Sequence, residues 1–217
     1  MPAMPDQFTL PGFDDPPAPM PRPAKPTRKA DFNLFLALLP EDDDALRIHA
    51  GAEALCRQHA LSKKPTAADR LHVSLFGLAA YWEPLPKQEM EALCARVDAA
   101  MAPLRHPSLP LVFNRLMSFG RPDGIKRLPW VQRPDDASER ALKDLHRSVQ
   151  LTLSLHGIVE AGGGFTPHMT LLYDPLHLAE QAIEPLAWTA RKLVLILSHV
   201  GRSKYERLRC WGLGPST

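Results

Sequence analysis

Leu71-His72-Val73-Ser74-Leu75 and Pro167-His168-Met169-Thr170-Leu171 share one order of residue types: His, aliphatic, hydroxyl, Leu. How this pair is read decides the fold. Each run is short and apolar at alternate positions, so each is predicted to be a strand in which residues i and i+2 face the same way. On that geometry His72 and Ser74 are neighbours on one face, as are His168 and Thr170, while Val73, Leu75, Met169 and Leu171 point into an apolar layer. An imidazole titrates near neutrality and serves as a general acid or base, and a hydroxyl beside it can hold an anionic oxygen. Two such half-sites suit a reaction in which one oxygen loses a proton while another gains one.

The bare tripeptide His-x-Ser/Thr occurs four times, at His72, His106, His146 and His168. His106 precedes Pro107 outside any regular element, and His146 falls in a predicted helix, where residues two apart do not share a face. Those two copies read as coincidence. A lone strand histidine has ordinary explanations, but His72 and His168 occupy matching places in a repeated strand-helix-strand pattern.

Upstream of His72, the run from Phe32 to Leu39 reads as a buried strand closed by Pro40. Glu41 to Asp44 suit the positive end of a helix dipole, and Ile48, Ala52, Leu55 and Cys56 then recur at helical spacing. Downstream, Pro86 opens a helix with Met90, Leu93, Val97 and Met101 on one face. A strand from Leu109 to Phe119, a turn at Pro122-Asp123-Gly124 and a strand from Ile125 to Val131 follow. Asp135 or Asp136 then caps a helix carrying Leu142, Leu145, Val149 and Leu153, which Gly157 ends. Gly162-Gly163-Gly164 precedes the strand of His168, and two more strands, Leu193 to Val200 and Tyr205 to Leu213, complete the chain. The expected class is α+β: two pseudo-symmetric lobes, each an antiparallel sheet with helices on its outer face, and a cleft between them.

The 217 residues, 45% apolar, are enough for one substantial core or two joined lobes. Nine of the 23 prolines fall in residues 1–31, so residues 1–30 read as a flexible, partly polyproline arm and residues 31–217 as the folded domain. A net charge of +2 excludes a strongly basic nucleic-acid slab and leaves room for a local basic cleft. Cys56, Cys94 and Cys210 are odd in number and widely spaced, which points to reduced thiols and a cytoplasmic setting. The longest apolar run, Leu193 to Leu197, is too short to cross a bilayer, and no apolar leader stands at the N-terminus. No His-Glu-x-x-His helix or Cys/His cluster supports a metallohydrolase.

The two motifs, 96 positions apart, resemble those of the 2H phosphoesterase superfamily, which includes 2′-5′ RNA ligase-like and RNA 2′,3′-cyclic phosphodiesterase proteins. The likeness covers roughly Asp31 to the C-terminus. It implies that His72 and His168 are catalytic and that Ser74 and Thr170 hold the phosphate, with no metal or cofactor. The expected partners are RNA ends or nucleotides bearing a cyclic phosphate, handled by a monomer without a membrane. The likeness leans towards His72 as acid and His168 as base in hydrolysis, roles that could exchange with reaction direction. An RNA- or nucleotide-binding module with the same cleft and no turnover is the alternative.

Beyond the motifs, strict alternation puts Phe76 on the face of His72 and Ser74, where it could stack on a base or simply pack in the sheet. The same alternation turns Tyr173 into the core. Lys126, Arg127 and Arg202 are candidate phosphate contacts with solvation as the commoner fate, and His199, Trp130 and Trp211 are left outside the site.

Overall fold

The structure, a computed structural model, describes residues 29–61, 63–120, 127–159 and 164–214. Most of the proline-rich arm, the turn Pro122-Asp123-Gly124, Ile125, Lys126, Gly162 and Gly163 lie outside the described residues. In chain order the elements are β1 (Phe32–Leu38), α1 (Asp42–Gln58), β2 (Val73–Tyr81), α2 (Lys87–Met101), β3 (Leu109–Ser118), β4 (Leu128–Pro134), α3 (Asp136–Leu155), β5 (Met169–Asp174), β6 (Gln181–Ala190), β7 (Lys192–His199) and β8 (Lys204–Gly212). A 3-10 turn, Ala68–Arg70, leads into β2.

The fold is α+β, built on antiparallel pairing throughout, in the order β6-β3-β4-β5-β2-β1-β7-β8. The two separate sheets expected from the sequence appear as two four-stranded halves of one sheet. They meet where β2 opposes β5 through a single residue pair, Val73 with Met169. The repeat survives in the topology: β1-α1-β2 builds one side of that seam and β4-α3-β5 the other.

One main core lies between the sheet and the helices. Leu34, Leu36 and Leu38 of β1 and Leu193 and Leu195 of β7 meet Ile48 of α1, Val97 of α2 and Leu145 of α3, all essentially inaccessible. The intervening residues, Ala37, Val194 and Ile196, form a small second cluster on the opposite face with Phe35 and Tyr205. Alternation thus gives the sheet one face covered by the helices and one left uncovered as the candidate ligand face. Among the described residues, no helix is long and apolar enough to cross a membrane.

The helix ends follow local chemistry. The Asp135 carboxylate accepts from the Ser138 amide at 2.8 Å, satisfying a donor that the first turn of α3 leaves free. At the other end Gly157 takes φ +61°, and the Gly157 and Ile158 amides reach back to the Ser154 and Leu153 carbonyls at 3.0 Å each. This is a Schellman closure, for which a residue without Cβ is favoured.

Two strand expectations change. The strand expected over Ile125–Val131 runs over Leu128–Pro134, because pairing with β3 continues to Pro134, opposite Phe113. Strand β6 has no counterpart in the sequence reading. It contains Pro185 and is largely exposed, features that argue against a central strand but are tolerated at a sheet edge. Its register with β3 shifts between Phe113 and Arg115, which leaves Ile183, Glu184 and Pro185 between the paired residues Ala182 and Leu186.

Replacing Asp135 with Ala should lower stability by about 0.5–2 kcal/mol. Urea unfolding with an unchanged m-value would show it.

Candidate active site

His72 and His168 each stand immediately before the first residue of a strand, Val73 of β2 and Met169 of β5. Each ring is anchored in the same way. His72 Nδ1 lies 2.7 Å from the Arg70 carbonyl, and His168 Nδ1 lies 2.8 Å from the Thr166 carbonyl, in both cases two residues upstream. A carbonyl oxygen only accepts, so Nδ1 carries the proton and donates it, leaving Nε2 for chemistry. His72 Nε2 is 3.0 Å from Ser74 Oγ, whose hydroxyl donates to the neutral ring.

The seam register brings these groups together. Val73 and Met169 are fully buried, so their neighbours face the other way. Carrying the register one residue to either side places His72 opposite Thr170 and Ser74 opposite His168. The four polar side chains form a two-by-two block on one face, with the histidines on its diagonal, where backbone separations are about 7–8 Å. The shared face of each histidine and its hydroxyl neighbour is the one expected from strand alternation.

Both strands bulge directly after the hydroxyl residue. Ser74 opposes Ala37 of β1, and the next pair is Phe76 with Leu36; Thr170 opposes Val131 of β4, and the next pair is Leu172 with Trp130. Leu75 and Leu171 are the extra residues, and both are buried. A bulge reverses the alternation beyond it. Phe76, expected on the face of His72 and Ser74, therefore lies on the helix side, with its ring 5.4 Å from that of His146 on α3. Tyr173, expected in the core, is 50% exposed on the ligand face.

His146 is also stacked on Phe165 at 4.6 Å, an arrangement that packs the approach to His168 against α3. His106 is half-buried, with Nδ1 on the Pro107 carbonyl. Neither of these tripeptide copies sits beside the seam.

A cavity of about 750 Å³ opens on the ligand face beside His72 and Ser74. His168 and Thr170 do not line it, so the surroundings of the block are asymmetric. The His72 ring meets Phe35 at 5.3 Å and Tyr205 at 5.6 Å, and those two rings lie 5.9 Å apart. The Arg70 guanidinium sits 5.8 Å from the Tyr205 ring centre, within cation–π range. His168 instead packs edge-on against Phe119 at 4.8 Å.

Burial pushes the His72 imidazole below its usual value, reinforced by the positive charges of His168 and Arg70 and opposed by the Arg70 carbonyl bond. Burial also lowers His168, with Arg133 adding to the effect and the Thr166 carbonyl opposing it. Each ring is therefore biased towards the neutral base until an anion arrives.

Arg70, Phe35, Tyr205 and Phe119 were not singled out by the sequence. Arg70 carried a faint signal as a cation two residues before the motif histidine; the aromatic residues looked like any strand residue. Arg127 and Arg202 are exposed, and Lys126 lies outside the described residues. His199, left outside the site by the sequence reading, bonds Glu206 at 2.7 Å, packs on Phe32 and lines the cavity beside His72. Trp130 is buried, and its indole donates to the Leu176 carbonyl. Among the described residues, no group of three or more His, Cys, Asp or Glu side chains could hold a metal.

Comparison with solved structures finds the same architecture. E. coli LigT in its apo form matches with a TM-score of 0.60 at 21% identity, over 84% of this chain and 98% of that one. LigT complexed with 3′-AMP matches with a TM-score of 0.58 at 20% identity, over 87% and 100%. TT0787 of Thermus thermophilus matches with a TM-score of 0.61 at 16% identity, over 85% and 100%. At these identities the likeness speaks for the fold. No match was found among curated proteins. The sequence profile of the 2′-5′ RNA ligase superfamily matches residues 40–202, well over half of the chain. With that span enclosing both histidine motifs and the seam that joins them, the chain belongs to the 2′-5′ RNA ligase superfamily.

Proposed function

We propose that this protein is a metal-independent phosphoesterase that hydrolyses 2′,3′-cyclic phosphates, or makes and breaks 2′-5′ linkages, at RNA ends or in small nucleotides. One observation carries the reading: two imidazoles with identical Nδ1–carbonyl anchors, each with a hydroxyl residue two positions on, diagonal across one strand pair. Family membership supports phosphoesterase-type chemistry, and LigT has been crystallised with 3′-AMP, ATP and NADP+, all nucleotides.

In hydrolysis of a cyclic phosphate, one neutral Nε2 takes a proton from water as the water oxygen bonds to phosphorus. The imidazolium opposite delivers its proton to the ribose oxygen as the P–O bond breaks. Ser74 and Thr170 donate to the non-bridging oxygens, where negative charge builds. The 3.0 Å contact between His72 and Ser74 couples two of these roles. When a phosphate binds, the Ser74 hydroxyl turns from His72 Nε2 to a non-bridging oxygen, which frees Nε2 for proton transfer.

His72→Ala and His168→Ala should each lower turnover of a 2′,3′-cyclic nucleotide by about 10²–10⁴-fold in EDTA, with circular dichroism unchanged. Near-normal activity in either variant would exclude the two-histidine mechanism. No turnover by the wild type across nucleotides and oligonucleotides would leave a binding module. Ser74→Ala and Thr170→Ala should each cost less than loss of a histidine.

One ring must be neutral and the other protonated, so kcat/KM should follow a bell-shaped pH profile. Because burial lowers both imidazoles in the free enzyme, the maximum should lie below the usual histidine value of about 6.5. The kcat profile should be displaced to higher pH, since a bound phosphate favours the imidazolium. A kcat/KM maximum above about 7 would contradict the burial of these rings.

A further inference from the structure

The cavity beside His72 extends well beyond the reacting block. Antiparallel partners share a face, so the registers of β2, β1, β7 and β8 order this face as three rows, of which all residues but Ala37, Val194 and Ile196 line the cavity. The first row joins Ser74 to Ala37 and Val194. The second joins Gly77 to Phe35 and Ile196. The third joins Ala80 to Asn33, Ser198 and Tyr205.

Ser74 and Ala80, which both line the cavity, pair with Ala37 and Asn33, four residues apart along β1, so the lining spans about 13 Å. That is longer than one nucleoside held at its phosphate. At about 750 Å³ the cavity also lies in the upper part of the range of about 300–1,000 Å³ typical of ligand sites.

Its chemistry changes along its length. The β2 side presents mostly small residues, Ser74, Gly77, Ala79 and Ala80, beside Leu78, and a Cβ built at Gly77 would meet nothing within 4 Å. The middle row offers Phe35 as an apolar platform. The far row is polar: the Ser198 hydroxyl bonds the Tyr205 phenol, while the exposed Asn33 amide has no partner among the described residues. Arg70 lines the same cavity and has no carboxylate partner among the described residues.

We infer that this cavity binds the penultimate nucleotide of an oligoribonucleotide whose terminal phosphate lies between the two histidines, and that Asn33 reads the penultimate base. An open strip of small residues admits a base, an amide supplies one donor and one acceptor to its edge, and Arg70 faces the intervening phosphodiester. The inference rests on the phosphoesterase reading for the placement of the terminal phosphate.

Binding tests it without requiring turnover. Wild-type protein, Asn33→Ala and Ala80→Leu are titrated in EDTA with 3′-phosphorylated mono-, di- and triribonucleotides. The wild type should bind the dinucleotide about tenfold or more tighter than the mononucleotide, with little further gain for the trinucleotide. Asn33→Ala, which removes the amide, and Ala80→Leu, which fills the far row, should each erase most of that gain.

Equal affinity for mono- and dinucleotide, or a gain that both variants retain, would overturn the inference. A protein that hydrolyses a cyclic mononucleotide but shows no gain with length keeps the phosphoesterase reading and loses this one. A protein that hydrolyses nothing but shows the length-dependent gain does the reverse.

Discussion

The pairing of Val73 with Met169 is the constraint on which the rest of the site depends. Among the described residues it is the only pair that joins the two four-stranded halves, and both side chains are completely buried. Burying an apolar pair commits the flanking positions to the opposite face, because strand side chains alternate with a period of two. A shift of one residue in either strand would send its histidine and hydroxyl into the core. The hydrophobic seam thus sets the geometry of the polar block above it.

Short-range devices then give that block its working form. The carbonyls of Arg70 and Thr166 hold both rings in the same tautomer, with Nε2 available to substrate. A bulge one residue past each hydroxyl ends regular alternation where the block ends, turning Leu75 with Phe76 and Leu171 with Leu172 towards the helices. Tyr173 emerges on the ligand side as a result. The same device at both strands is a structural trace of the duplication, present in the backbone even where the side chains differ.

The two half-sites nevertheless have different surroundings. His72 lies among Phe35, Tyr205 and Arg70 at the mouth of a large cavity, whereas His168 is packed against Phe119. Most of the cavity lining belongs to the half built from β2, β1, β7 and β8, which gives the seam an open side and a closed one.

Much of this was legible in the sequence because it depends on local periodicity. The apolar spacing of Leu142, Leu145, Val149 and Leu153, the cap at Asp135 and the stop at Gly157 each act over a few residues, and α3 follows them closely. The four polar motif residues were likewise readable from alternation alone. Strand β6 was not, since Pro185 and an exposed pattern disqualify a strand until its place at the sheet edge is known. Phe76 and Tyr173 were assigned to the wrong faces because a bulge is a property of two paired strands, and neither strand alone announces it. The sequence by itself determined which hydroxyl residue shares a face with each motif histidine, because alternation acts over two residues. Only the tertiary structure decided where the sheet halves join, which aromatic residues surround His72 and on which side the cavity opens, because these follow from long-range register and packing.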